Sequence, residues 1–327
     1  MLKPEISVIS SVYNGEKYLK KSLESILDQT YSNFEFIIVN DGSKDKTKLI
    51  LNNLAKLDKR ITIINNKKNL GLSNSLNKAI KVSKGQFIAR HDCDDYSCKE
   101  RLKIQIEYLI RNKDIDVIGS NSKVFNNQNK YLFSFKMPRS NKDIRCYSYF
   151  GNPFLHPTVM IRKKIFLGNK ILYNKNYLTS QDYELWVQIL TTHKGYNLNQ
   201  DLVYITNHKK QTSKKKKNLQ KKNSINILFS IQKNKKKFNK NFFENLLIFM
   251  DNASDLKNNN NKIKILDQIY YYMKYIFFKK KFKSFYVMMF VLKKIFIIDK
   301  FYFLKNSINF FYILIFIILE KFILIKK

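Results

Sequence analysis

Three cysteines, Cys93, Cys98 and Cys146, are all that this 327-residue chain contains. They form neither a CxxC pair nor an even set, which argues against a disulfide framework or a structural zinc site and favours a reducing compartment. Acidic residues are also sparse, with 25 Asp and Glu against 61 Lys and Arg and a net charge of +36. Arginine stops at Arg162. That absence argues against nucleic-acid recognition by the basic C-terminal part, because the guanidinium is the group suited to bidentate contacts with phosphates and base edges. Glycine and proline number only 8 and 4, beside abundant Lys, Asn, Ile, Phe and Tyr. AT-rich coding produces that bias as readily as physics does, so part of the charge signal is discounted. Met1-Leu2-Lys3-Pro4-Glu5 leads into a short strand-like run rather than the long apolar stretch of a secretory signal, and the expectation is a protein that starts in the cytoplasm. The apolar stretch 307 to 319 has 13 residues before Glu320 and Lys321. A bilayer span needs about 20, so an interfacial or buried helix is the better fit.

What is present is a regular alternation. Ile6 to Ser10 reads as a strand, followed after Val12-Tyr13-Asn14-Gly15 by a helical spacing of Leu19, Leu23, Ile26 and Leu27. Phe34 to Val39 is a second strand, stopped by Asn40-Asp41-Gly42-Ser43 and followed by a helix marked by Leu49, Ile50, Leu54 and Leu57. Ile61 to Ile64 and the helix bearing Leu72, Leu76, Ala79 and Ile80 repeat the pattern, and Phe87-Ile88-Ala89 begins it again. Such a sequence predicts an α/β fold, a mostly parallel sheet flanked by helices. Ligands of such sheets bind outside the carboxyl ends of the strands, where three polar loops fall: Ser11 to Gly15, Asn40 to Ser43, and His91 to Asp95. After a helix with Leu102, Ile106 and Leu109 and a fifth strand at Asp116 to Ser120, the alternation lapses. Residues 121 to 206 carry a hairpin signal at Asn126 to Asn129, the loop Gly151 to Pro157 and a helix near Asp182 to Leu190, and are expected to form the second wall of the crevice.

At 39.1 kDa there is material for a large unit and a smaller one. The character changes past Asn207, where eight Lys fall between Lys209 and Lys222. Residues 208 to 327 hold 28 Lys and 6 acidic residues, about +22, leaving about +14 for the first 207. The division expected is therefore 1–206 and a Lys-rich helical region, 207–327.

Against that basic background, Asp92-Cys93-Asp94-Asp95 at the end of a short apolar run is anomalous. Crowded carboxylates repel unless a cation or solvent offsets them, and hard divalent ions such as Mg²⁺ or Mn²⁺ prefer oxygen ligands. The pattern points to a metal–diphosphate site, with a solvated acidic turn before the helix near Cys98 as the plainer alternative.

Four segments in order, Ile6 to Asn14, Ser25 to Thr30, Phe36 to Asp45 and Asp92 to Asp95, resemble the family 2 glycosyltransferases over roughly residues 4 to 206. The resemblance implies a GT-A fold and inverting transfer of a sugar from a nucleotide diphosphate. It implies nucleotide-binding roles for Ser11, Tyr13, Asp41 and Asp92, with Tyr13 stacking on the base and Asp41 accepting from it. It implies Asp94 as direct metal ligand with Asp92 as a less certain second, and Mg²⁺ or Mn²⁺ as the cofactor. A turn residue for Asp41 and a strand-end cover for Tyr13 are the readings without the family. Asp182 in Thr179 to Trp186 matches the family's catalytic base, with Glu184 as a fallback. Gln181 stands where the family usually has Glu, and Asn40 where it often has a second acid. Leu155 to Arg162 resembles members that decorate bacterial surface polysaccharides, and His156 either lines the acceptor pocket or satisfies a loop carbonyl.

The expectation is thus a metal-dependent hexosyl- or N-acetylhexosaminyl-transferase acting with a UDP-sugar donor on a glycan or lipid-linked acceptor. Its Lys-rich region would meet an anionic membrane surface from the cytoplasmic side. The rivals are another sugar-nucleotide enzyme of similar sheet architecture, and a non-catalytic binder of anionic surfaces or nucleic acid.

Overall fold

The chain is described by a computed structural model over residues 3–168, 171–209, 211–231, 240–251, 262–274, 276 and 285–299. The apolar stretch 307 to 319 lies outside the described residues. Among those described, no helix is long and apolar enough to cross a membrane.

The first half follows the sequence pattern closely. β1 (Ile6–Val12), α1 (Leu19–Leu27), β2 (Phe34–Asn40), α2 (Thr47–Leu57), β3 (Ile61–Asn65), α3 (Leu72–Val82) and β4 (Phe87–Arg90) alternate. The four strands pair in parallel in the order β3-β2-β1-β4. β1, β2 and β4 are buried along almost their whole length because helices cover both faces. Leu19, Leu23 and Ile26 of α1 are buried in one core with Ile6, Val8, Phe36 and Ile38. α3 buries Leu76, Ala79 and Ile80.

Beyond the short β5 (Tyr96–Ser97) and α4 (Arg101–Arg111), the topology changes. β6 (Val117–Asn126) runs through the expected fifth strand and on into the hairpin with β7 (Tyr131–Phe135). After α5 (Asn141–Tyr147) and a single 3₁₀ turn at His156–Thr158 comes β8 (Met160–Arg162). α6 (Lys164–Gly168), α7 (Gln181–Thr192) and β9 (Gly195–Asn207) follow. β8 slots antiparallel between β4 and β6, whereas β9 lies parallel to β6 and antiparallel to β5. The parallel pairing expected of most of the sheet is concentrated in its first half. The second half is mixed because its strands are not joined by regular crossover helices.

Two compact units are present, one of Met1–Arg139 with Phe154–Lys217, the other of Ser140–Pro153 with Asn218–Lys327. The second contains α5, capped by Ser140 whose hydroxyl accepts from the Asp143 amide at 3.1 Å. It also holds α10 (Lys240–Asp251), α11 (Lys262–Lys274) and α12 (Phe285–Ile298), which follow α8 (Thr212–Lys215) and α9 (Lys217–Ser230) in the chain. Its core is aromatic: Tyr272 packs against Phe150, Phe242 and Phe243, and its hydroxyl donates to the Tyr149 carbonyl at 2.8 Å.

Strand β4 is aligned on β1 by a close approach at Gly85, whose amide donates to Ser7 Oγ at 2.8 Å. A Cβ there would lie 2.6 Å from the Ser7 amide nitrogen and 2.7 Å from the Ile6 carbonyl carbon, both backbone atoms of a central strand. Gly85→Ala is expected to destabilise the fold by about 1–3 kcal/mol, since neither backbone can yield cheaply; urea denaturation of the variant beside the parent measures it.

Candidate active site

The loops after β1 and β2 are bound to each other by a reciprocal set of bonds. The Asn14 amide donates to Ser43 Oγ at 3.0 Å, while Asn14 Oδ1 accepts from the Lys44 amide at 2.9 Å. Gly15 N–H reaches Thr47 Oγ1 at 2.9 Å, and the Lys46 amide reaches Glu16 Oε2 at 3.0 Å. Short polar side chains at strand ends satisfy backbone groups that the sheet no longer serves. This arrangement leaves Tyr13 on the surface, 47% exposed, beside a partly buried Ser11. A free aromatic face and a hydroxyl at one strand end suit the role that the resemblance implies for them.

Asp41, by contrast, is buried. Its Oδ1 accepts from Asn66 Nδ2 at 2.7 Å and the Leu70 amide at 2.8 Å, and its Oδ2 accepts from the Gly71 amide at 2.9 Å. The carboxylate therefore organises the loop between β3 and α3. Gly42, at φ +73°, lies against the same loop, where a Cβ would stand 2.5 Å from the Lys68 carbonyl carbon.

At the end of β4 each of the three carboxylates has a different partner. Asp92 Oδ1 is paired with the buried Arg90 guanidinium, which also donates to the His91 carbonyl. Asp94 Oδ2 is 2.9 Å from Nε2 of His208, which follows β9. Asp95 is buried and its Oδ1 accepts from the Thr206 amide at 3.0 Å. Burial pushes the Asp95 carboxyl well above the usual range, and Asp94 and Asp92 add to the shift. Asp92 is also raised by burial, with Asp94 adding and Arg90 opposing.

Beneath this loop, Arg101 of α4 is wholly buried and carries the bend of the chain. It donates to the Arg90 carbonyl at 2.6 Å, Ser97 Oγ at 2.9 Å and Gln105 Oε1 at 3.1 Å. His91 Nε2 lies 2.9 Å from Ser22 Oγ, whose hydroxyl proton is used on the Asp92 carbonyl at 3.1 Å. His91 must then be the donor in that contact, which assigns its proton to Nε2. Burial holds it neutral, well below its ordinary 6.5, with Arg101 and Arg90 adding to the effect.

The helix bearing Asp182 and Glu184 begins after Ser180, which sits in the left-handed region at φ +57°. Both acids are in the first turn, where the helix dipole favours negative charge. Glu184 is engaged by Gln188 Nε2, and burial raises its carboxyl. Tyr173 links this side to β4. Its hydroxyl meets His156 Nε2 at 2.8 Å, and burial pushes it up, while Arg90 opposes and both Asp182 and Asp92 add to the rise. His156 is itself held well below its ordinary value by burial and then by Arg90. Gln181 keeps a buried Oε1 with no hydrogen-bond partner.

No cluster of three acidic, His or Cys side chains that could hold a metal occurs among the described residues. The pair Asp94 and His208 nevertheless offers a carboxylate oxygen and an imidazole nitrogen together, with the buried His208 Nδ1 lacking a partner. Two protein ligands suffice for a divalent ion that also takes phosphate oxygens and water. The pairing of Asp92 with Arg90 commits one of its oxygens elsewhere. Sequence reasoning missed His208 and Tyr173 as parts of this site and set Arg90, beside the acids, aside as a phosphate binder. For His208 the available signal was a lone histidine closing the strand-like run Leu202 to Thr206, immediately before the lysines.

A family model described as Glycosyl transferase family 2 matches residues 7–168. The O-antigen biosynthesis glycosyltransferase WbnJ of Escherichia coli is 36% identical over 217 residues, 64% of this chain and 82% of that protein. Among solved structures, S. aureus TarS in complex with UDP-GlcNAc superposes with a TM-score of 0.57 at 19% identity, covering 83% of this chain and 81% of that one. The mannosyltransferase PcManGT from Pyrobaculum calidifontis, in complex with GDP-Man and Mn²⁺, gives 0.53 at 14% identity, over 70% of this chain and 64% of that one.

The neutral, buried His91 makes the site a source of acid sensitivity. In the unfolded chain His91 takes up a proton near 6.5, whereas in the folded chain it does so only at much lower pH. The associated stability is complete above pH 6.5 and is lost progressively as pH falls below it. Thermal melts at pH values between about 7 and about 5 are expected to show His91→Asn with a lower Tm than the parent at neutral pH but a shallower decline on acidification. Parallel declines would show that His91 is not the source.

Proposed function

The chain belongs to glycosyl transferase family 2 and is a glycosyltransferase of GT-A fold, and from that premise we propose that it moves a hexosyl or N-acetylhexosaminyl residue, with inversion, from a UDP-sugar to a hydroxyl of a glycan or lipid-linked acceptor. The observation that carries this reading is the convergence on Tyr173. Its hydroxyl lies within electrostatic reach of Asp182 on α7 and of Asp92 and Arg90 at the end of β4. A base and a carboxylate loop for the diphosphate, both near one buried group, supply the proximity that an inverting displacement draws on.

In this reading the base of the donor rests on the exposed ring of Tyr13 near Ser11, with Asp41 accepting from it. Asp94 and His208, with Asp92 in support, hold a divalent ion. An imidazole beside a carboxylate departs from the all-oxygen set that Mg²⁺ prefers, which favours Mn²⁺. Such an ion, when bound, supplies positive charge against the leaving diphosphate. Asp182 accepts the proton of the acceptor hydroxyl as its oxygen bonds to the anomeric carbon and the bond from that carbon to the diphosphate breaks on the opposite face. Glu184, already engaged by Gln188, is the poorer base. The name of WbnJ supports surface polysaccharide as the product class. The net charge of +36 supports action beside an anionic membrane.

Release of nucleotide diphosphate from a panel of sugar nucleotides with Mn²⁺ tests the proposal. UDP-sugars are expected to turn over, and Asp94→Ala and Asp182→Ala each to lower the rate by about 10²-fold or more. His208→Ala is expected to raise the Mn²⁺ concentration needed for half-maximal rate by about 10-fold or more. Undiminished turnover in both Asp variants would remove the assignment.

A further inference from the structure

The hairpin of β6 and β7 exposes apolar side chains on both of its faces. Tyr131, Leu132, Phe133 and Phe135 are 51%, 40%, 45% and 39% exposed. Phe135 stands opposite Ser122 and Phe133 opposite Val124, whereas the register shift that follows sets Tyr131 opposite Phe125, so Phe133 and Phe135 share one face and Tyr131 lies on the other. A strand laid against a core would hide one of these sets, and β7 hides neither. Among the described residues β7 pairs with β6 alone, so its outer edge is open as well. Exposed Lys130 and Lys136 bracket the strand, Lys136 reaching Asp201 at 3.3 Å.

We propose that this hairpin is the element by which the protein docks on an anionic lipid bilayer. Aromatic rings beside lysines whose stems lie along apolar surface and whose ammonium groups reach anionic phosphates are the chemistry of the bilayer interface. The charge of +36 draws the chain to such a surface and opposes pairing of a second copy along the open edge of β7. Exposure on both faces suits a medium that surrounds the strand better than a groove that grips one side. The depth of docking is limited, because hydrocarbon leaves the backbone N–H and C=O groups of the outer edge unsatisfied. The hairpin therefore lies among the headgroups, its rings reaching only the upper part of the acyl chains.

The same hairpin is continuous with the wall of the active site. Tyr18 donates from its hydroxyl to Asn127 Oδ1 in the hairpin turn at 3.2 Å and stacks on the His208 ring at 4.5 Å. Phe125 packs edge-to-face on Tyr204 at 5.7 Å, two residues before the Thr206 amide that holds Asp95. Lipid docking at the hairpin would thus keep the site beside the membrane surface. The inference deepens the membrane part of the proposed function and rests on it, but it needs no turnover to be seen.

The test is co-sedimentation of the full chain with vesicles of phosphatidylglycerol and phosphatidylcholine, against vesicles of phosphatidylcholine alone. The parent is expected on the anionic vesicles. The double variant Phe133→Ser/Phe135→Ser is expected to partition at least about tenfold less, as loss of two buried rings implies, with donor hydrolysis and melting temperature unchanged. Phe133→Trp, which alters little, reports position independently: its fluorescence should be quenched by lipids brominated near the headgroup end of the acyl chain, whereas the buried Trp186 of the parent should not be. Equal binding by parent and double variant, an unquenched Phe133→Trp, or a lipid-free dimer that the double variant abolishes would overturn the proposal. Lipid binding without donor turnover would instead count against the glycosyltransferase chemistry proposed and leave the hairpin assignment standing.

Discussion

Three carboxylates at the end of one buried strand repel one another, and the site is built around how that repulsion is offset. Each acid has a partner of a different kind: a guanidinium for Asp92, a backbone amide for Asp95, an imidazole for Asp94. The differences matter chemically. Arg90 is buried within the fold and Asp95 is fixed to a strand, so neither arrangement can be undone without moving the sheet. In the proposed function His208 would release Asp94 and coordinate beside it, because an imidazole can trade a hydrogen bond for a coordinate bond. The partly exposed Asp94 is thus the member of the trio best placed to meet a cation, and the other two shape its surroundings.

The scaffold under those acids is equally specific. Arg101 fixes the backbone on both sides of the bend, at Arg90 and at Ser97, and Gln105 carries the link on to the Thr158 carbonyl at 2.7 Å. Ser22 on α1 reaches the same bend through His91 and the Asp92 carbonyl. The bonds that Arg101, Gln105, Ser22 and His91 make under the loop hold its acids in place.

The first half of the fold was legible because its elements are locally written. The apolar runs of β1, β2 and β4 and the helical spacing of Leu19, Leu23 and Ile26 need no knowledge of distant partners. The second half was legible only in part: the fifth strand, the hairpin and the helix over Asp182 to Leu190 are present as expected, but the sheet that joins them was not readable. β8 has three residues and β5 two, too few for any periodicity, and β9 is interrupted at Asn199-Gln200-Asp201, where its register with β6 shifts. The site divides the same way. Tyr13, Asp41, Asp92 and Asp94 stand in local patterns that sequence can display. His208 meets Asp94 across 114 residues, through strand pairing that only the folded sheet creates.

Asp41 carries a further consequence. With two hydrogen bonds on Oδ1 and one on Oδ2, its inner lone pairs are already spoken for by the loop between β3 and α3. A carboxylate in solution accepts from any side, but this one can take another donor chiefly at the vacant position of Oδ2. It would therefore act as a protractor: a ligand is judged by the angle at which its N–H arrives as much as by possessing one. The angle itself is set by Asn66, Leu70 and Gly71, so residues that need never touch a ligand would decide which ones fit.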